Sequence, residues 1–155
     1  MILTLDLTGE VPIYQQIRDQ VVAAIATGTL VAGSPLPATR QLAADLGINF
    51  HTVNKAYDLL RQEGLLILNR RTGAVVHRDP GSGPPSAEFT EQWRLRLHTL
   101  LAEAVAQGLD GPAALAACAT TLRDFGLAVP PVPSVLPVPP APVAGTPVPE
   151  LGDSV

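Results

Sequence analysis

Residues 49–55 read Asn-Phe-His-Thr-Val-Asn-Lys, and their polar members could do the chemistry of recognition. On a helix, His51, Asn54 and Lys55 fall opposite Val53, Ala56 and Leu60. Asparagine can read adenine through two hydrogen bonds, and lysine can reach guanine or a phosphate. Read blandly, the same three residues are an ordinary solvated face. Thr52 stands where a helix N-terminus offers free N–H groups to an anion, although its hydroxyl could equally cap the local backbone. A second basic group, Arg70 and Arg71, precedes Thr72-Gly73. Paired arginines on a hairpin tip suit a minor groove or phosphates; the plain alternative is a strand edge protected by charge.

Bond-making chemistry has no comparable support. His51, His77, His98 and Cys118 are scattered without metal-ligand spacing. No glycine-rich phosphate loop and no nucleophile motif occurs, so the sequence predicts no catalytic residues, no metal, no cofactor and no enzyme. The 155 residues carry a net charge of −4, but unevenly. Residues 35–78 hold six basic side chains against three acidic, whereas residues 81–155 hold three against seven. The basic excess thus lies on the stretch with the recognition chemistry. The single cysteine, Cys118, excludes an internal disulfide and, among Ala and Leu, reads as a small buried apolar residue. The first residues lack a signal-peptide pattern and no apolar run approaches about 18 residues, which predicts a soluble, cytoplasmic protein.

These side chains need elements to hold them. Residues 2–7 alternate apolar and polar and read as a short strand. Pro12 suits a helix first turn, and Ile13, Ile17, Val21 and Ile25 then repeat at four-residue steps until Gly28. Residues 33–37, with Gly, Ser and two prolines, read as a loop. A second helix covers about residues 39–46, with Leu42, Ala43 and Leu46 inward. Gly47 makes the turn, Asn49 caps a third helix, and Val53, Ala56, Tyr57 and Leu60 form its inner face. Two helices so spaced are a helix-turn-helix, whose second helix enters the DNA major groove. Residues 65–69 and 74–77 are strand-like and joined by Arg-Arg-Thr-Gly, a hairpin with Gly73 at the turn.

Residues 79–86 read as a linker. Two apolar stripes follow: Trp93, Leu97, Leu100, Leu101 and Ala104, then Leu115, Cys118, Ala119, Leu122 and Phe125. About 40 residues make too small a core for such faces, so a partner surface is implied, most cheaply a second copy of the chain. Nine prolines between residues 129 and 149 predict a disordered or polyproline-like tail. The predicted fold is therefore mainly α. A winged helix-turn-helix DNA-binding domain (1–78) leads through the linker (79–86) to a helical dimerisation unit (87–127) and a Pro-rich disordered tail (128–155). The dimerisation residues are Trp93, Leu97, Leu100, Leu101, Leu115, Leu122 and Phe125.

Residues 12–76 also resemble the DNA-binding domain of GntR-family bacterial transcription regulators. One part of the pattern is carried by Ile25, Gly28, Leu30, Gly33, Leu36, Pro37, Arg40, Leu42 and Ala43. The other is carried by Leu46, Gly47, Thr52, Val53, Ala56, Tyr57, Leu60, Glu63, Gly64 and Leu65. The opening Pro-Ile-Tyr-Gln-Gln-Ile and the short helical C-terminus look like the YtrA-like subfamily, whose members often repress transporter operons. The resemblance implies a homodimeric repressor of its own or a transporter operon, binding double-stranded DNA at a palindromic operator. The effector is unknown and no membrane is involved. It also implies a phosphate or base contact for Arg40, which could otherwise pair with Asp45 or Glu63. The implied DNA-binding set is Arg40, Asn49, Phe50, His51, Thr52, Asn54, Lys55, Arg70, Arg71, Thr72 and Gly73. Two positions depart from the family. Phe50 stands where many members have an arginine; it can touch a thymine methyl or pack inward, but cannot donate to a base. Ala38 stands where a serine often caps the second helix, leaving Thr39 as a substitute cap. The alternative function is a protein-interaction module using the winged helix and the polyproline tail.

Overall fold

The computed structural model describes residues 3–69 and 73–130. Five helices and one two-stranded antiparallel sheet follow in the order α1 (Ile13–Ala26), α2 (Thr39–Leu46), α3 (Phe50–Gln62), β1 (Leu66–Asn69), β2 (Gly73–Val76), α4 (Ala87–Ala106) and α5 (Gly111–Asp124). The first three helices and the hairpin form a winged helix.

The core follows from helical periodicity. Ile17, Val21 and Ile25 of α1, Leu42 and Ala43 of α2, and Val53, Ala56, Tyr57 and Leu60 of α3 are all buried. Burying each large side chain is worth about 1.5–3 kcal/mol. α3 packs against both α1 and α2. Gly47 ends α2 with φ of 66°, a conformation that costs an L side chain energy. Ile48 N–H then donates to Ala43 O, so the chain turns at once into α3.

The hairpin pairs Leu66 with Val76 and Asn69 with Gly73, and sends Leu66, Ala74 and Val76 into the core. Residues 33–37, predicted as loop, form no named element, yet 33–36 run beside β2. Gly33 N–H donates to Val76 O, Val76 N–H to Ser34 O, and Leu36 N–H to Ala74 O, with a bridge between Pro35 and Val75. The prolines fall at the alternate positions whose missing N–H this ladder does not need.

Other expectations also change. Among the described residues, 3–7 form no strand. Thr4 pairs through N–H and C=O with the Gln20 amide (2.9 and 2.6 Å), and Asp6 pairs likewise with the Gln16 amide (both 2.8 Å). Four helical residues rise about 6 Å, close to two residues of extended chain, so the two glutamines act as the neighbouring strand. α2 begins at Thr39 itself, so Thr39 cannot cap it from outside; Ala38 holds the N-cap with no side-chain bond. Cys118 is exposed rather than buried, because α5 turns the adjacent Ala119 inward.

Residues 77–86 carry specific ties. The Arg78 guanidinium donates to the carbonyls of Gly83 and Pro84. The Asp79 carboxylate accepts from Ala32 N–H at 2.9 Å and from Ser82 Oγ at 2.7 Å. α4 and α5 then begin at capped ends: Ser86 Oγ accepts from Phe89 N–H, and Asp110 Oδ1 from Ala113 N–H.

Tyr57 joins two parts of this fold. Its ring is buried, and its hydroxyl donates to Pro37 O at 3.0 Å, just ahead of α2. Burial pushes its pKa far up, so it stays a neutral donor. Replacing Tyr57 by Phe removes that bond and lowers unfolding free energy by about 1 kcal/mol, whereas Tyr57→Ala costs about 3–5 kcal/mol through the cavity it leaves. Urea titration checks both values; a Tyr57→Phe protein as stable as the parent contradicts the first.

The Ala32 N–H, then the Ser82 hydroxyl, hold the Asp79 pKa below its ordinary 3.8. A depressed folded value means that the stabilisation is complete above 3.8 and is lost as pH falls through the folded pKa. The Ala32 amide resonance therefore titrates with a midpoint below 3.8 and loses that response in Asp79→Asn. A midpoint at or above 3.8 contradicts the contact.

Candidate nucleic-acid interface

With Val53, Ala56, Tyr57 and Leu60 fully turned inward, α3 presents its other side to solvent. Asn49 caps it: its Oδ1 accepts from His51 N–H at 2.9 Å, and Thr52 N–H donates to Asn49 O at 3.0 Å. His51 and Lys55 are exposed, and Thr52 and Asn54 are half-buried.

Two helices meet at this end. Arg40, exposed in the first turn of α2, holds its guanidinium carbon 5.7 Å from the centre of the Phe50 ring. The Phe50 and His51 rings lie 4.0 Å apart, centre to centre, tilted by 34°. Arg40 is drawn to neither proposed acid: Asp45 accepts from Gln41 at 2.6 Å, and Glu63 from Arg18 at 2.9 Å. Phe50 does not pack inward; it keeps 37% of its surface exposed.

Asn54 faces a groove of about 370 Å³ between helix and wing, lined also by Pro37, Thr39, Leu68 and Gly73. Gly73 opens β2 with φ of 76°. Thus Arg40, Phe50 and His51 come together, Asn54 and Gly73 share a groove, and Lys55 stands apart toward α1. Arg70, Arg71 and Thr72 lie outside the described residues.

Sequence reasoning missed the partner of Lys55. Its ammonium lies 3.8 Å over the Tyr14 ring, a cation–π contact from α3 to α1. Only the tyrosine beside Ile13 hinted at it, and nothing local pairs it with a lysine so distant in sequence. It also missed Arg18, which binds Glu63 at 2.9 Å and Asp19 at 2.8 Å. Burial works against the Arg18 charge, but Glu63 and then Asp19 more than offset it and raise its pKa. This pair ties the middle of α1 to the end of α3 on the side away from the exposed face. Next to it, Val22, Leu65, Phe89, Trp93, Leu97 and Leu100 line a cleft of about 520 Å³ under α4.

The apolar stripes beyond the winged helix stay mostly uncovered. Trp93, Leu100, Leu101, Leu115 and Leu122 are exposed, Leu97 and Phe125 half-buried, and no residue of α4 is buried. Among the described residues no His, Cys, Asp or Glu cluster could hold a metal, and no helix is long and apolar enough to cross a membrane.

Known proteins resemble this chain in sequence and fold. The family described as bacterial regulatory proteins, gntR family, matches residues 13–76. An HTH-type transcriptional regulator of Mycobacterium tuberculosis is 32% identical over 90 residues, covering 57% of this chain and 74% of its own length. The HTH-type transcriptional repressor YtrA of Bacillus subtilis is 34% identical over 74 residues, covering 48% of this chain and 57% of its own. The structure of YtrA from Sulfolobus acidocaldarius, described as a GntR-family transcription factor, superposes with a TM-score of 0.55 at 37% identity, covering 68% of this chain and 99% of that one. Some relatives are much longer: the chain spans 15% and 44% of the length of two others.

Proposed function

The chain belongs to the GntR family of DNA-binding transcription regulators, with YtrA among its relatives, and from that premise we propose a homodimeric repressor acting in the cytoplasm on a palindromic operator of its own or a transporter operon. One observation carries the reading. The inner face of α3 is fully buried, so the opposite face, with His51 near Arg40, Asn54 on the groove and Lys55 toward α1, is turned to enter a major groove. Phosphates meet Thr52 and the α3 N-terminus, and Arg70, Arg71, Thr72 and Gly73 of the wing reach the neighbouring backbone or minor groove. The local basic excess supports this despite the net charge of −4. The repressor role rests on the relative that bears that name.

The dimer is proposed from the uncovered apolar surface of α4 and α5. Contiguous patches of that kind mark association sites. Two copies joined there carry two α3 helices to half-sites one helical turn, about 34 Å, apart.

DNA selected by the full-length protein from a random pool tests the central reading. Affinity for the selected duplex falls steeply with salt, and Lys55→Ala lowers the slope of log affinity against log salt by about one. Salt-independent binding, or recovery of no preferred duplex, removes the proposal.

Leu100→Glu combined with Leu122→Glu gives a monomer by analytical ultracentrifugation, with operator affinity reduced at least tenfold because two half-sites no longer share one binding event. A dimer that survives both charges lies on another surface.

A further inference from the structure

The exposed end of α3 carries a group that a purely hydrogen-bonding reading face does not explain. Phe50 is 37% exposed and stands outside the hydrophobic core. It has two close neighbours, the His51 ring, 4.0 Å away centre to centre and tilted by 34°, and the Arg40 guanidinium, 5.7 Å from its ring centre. These side chains come from two helices, and their meeting point is the outward surface of both.

The chemistry of that cluster is selective. A phenyl ring neither donates nor accepts at a base edge. The one apolar feature in the major groove is the C5-methyl group of thymine. The Arg40 guanidinium beside the ring carries five N–H donors that suit a planar acceptor. The acids that could draw Arg40 aside, Asp45 and Glu63, accept instead from Gln41 and Arg18. The Phe50 ring is thus the neighbour that remains beside the Arg40 guanidinium.

We propose that Phe50 is a specificity-determining residue that takes a thymine 5-methyl group in each half-site and, through its ring face, positions Arg40 for an adjacent acceptor on guanine or phosphate. The proposal rests on α3 being the helix that reads the operator. It makes this protein choose thymine by apolar contact rather than by a hydrogen bond.

Deoxyuridine lacks only the 5-methyl group of thymidine, so it isolates the contact. In the selected duplex, thymines are replaced by deoxyuridine one at a time and affinity is measured with the full-length protein. One position per half-site weakens binding about three- to tenfold, the scale of one buried methyl group. Phe50→Ala removes that discrimination. Phe50→Leu, which keeps an apolar side chain without a ring face, retains part of it. The positioning role is read separately: Arg40→Ala costs at least threefold less affinity in the Phe50→Leu background than in the parent. Parent protein indifferent to deoxyuridine at every position overturns the thymine contact, as does a Phe50→Ala variant that still discriminates. Equal cost of Arg40→Ala in both backgrounds overturns the positioning. In each of these cases intact binding to the thymine duplex leaves the operator-binding reading standing; no preferred duplex at all overturns both.

Discussion

The whole winged helix depends on how α3 is seated. Val53, Ala56, Tyr57 and Leu60 recur at three- and four-residue spacing and are buried to 1% exposure or less. A helix with one face so fully buried has no rotational freedom left: turning it by one residue would move Tyr57 or Leu60 into water and bring a charged side chain inward. The side of the helix on which His51, Asn54 and Lys55 stand is therefore a consequence of the core, and contacts such as Lys55 over Tyr14 act on top of it. Tyr57 adds a directional element, because its hydroxyl reaches the carbonyl of Pro37 and ties α3 to the chain entering α2. Arg18 and Glu63 do the same at the other end, between α1 and the last turns of α3.

The wing is held by the same economy of parts. A two-stranded hairpin alone is marginal in water. Here β2 has neighbours on both sides, β1 and the segment 33–36, and both of its inward residues, Ala74 and Val76, meet the core. The segment 33–36 leads directly to Pro37 and α2. Hairpin and helix-turn-helix therefore share one backbone ladder, so the groove around Asn54 and Gly73 has walls fixed to the same frame. Asp79 closes the arrangement by binding Ala32 N–H, which ties the exit of the hairpin to the loop before 33–36.

Much of this frame is legible in the sequence because it is local. The periods of α1, α2 and α3, the glycine at the α2–α3 turn, the Asn49 cap and the paired strands are written in residues a few positions apart. What is not legible depends on contacts between distant residues. The alternation in residues 3–7 has the right period for a strand, yet its backbone partners are the Gln16 and Gln20 amides, which no period announces. Cys118 lies in an apolar run, but a shift of one residue around α5 puts Ala119 inside instead. In the candidate interface the residue types are legible and their pairings are not. Neither Arg40 over Phe50 nor Lys55 over Tyr14 follows from spacing along one helix.

The helices beyond the winged helix obey a different balance. Ordering a residue's backbone costs about 1–2 kcal/mol, and helices in water recover little of that without a packed face. The winged helix recovers it within one chain through a continuous buried cluster. α4 buries no residue and α5 buries Ala119 alone, while Trp93, Leu100, Val105, Leu115 and Leu122 remain in solvent. Capping at Ser86 and Asp110 contributes about 1 kcal/mol each, far short of ordering two helices. Their uncovered stripes leave apolar surface that a further surface could bury. In the proposed dimer a second copy of the chain would supply one by symmetry, since the same uncovered stripe would face its own copy and could cover itself. On this view the order of α4 and α5 depends on protein concentration whereas the core around α3 does not, and the two parts of the chain are separable in what holds them together.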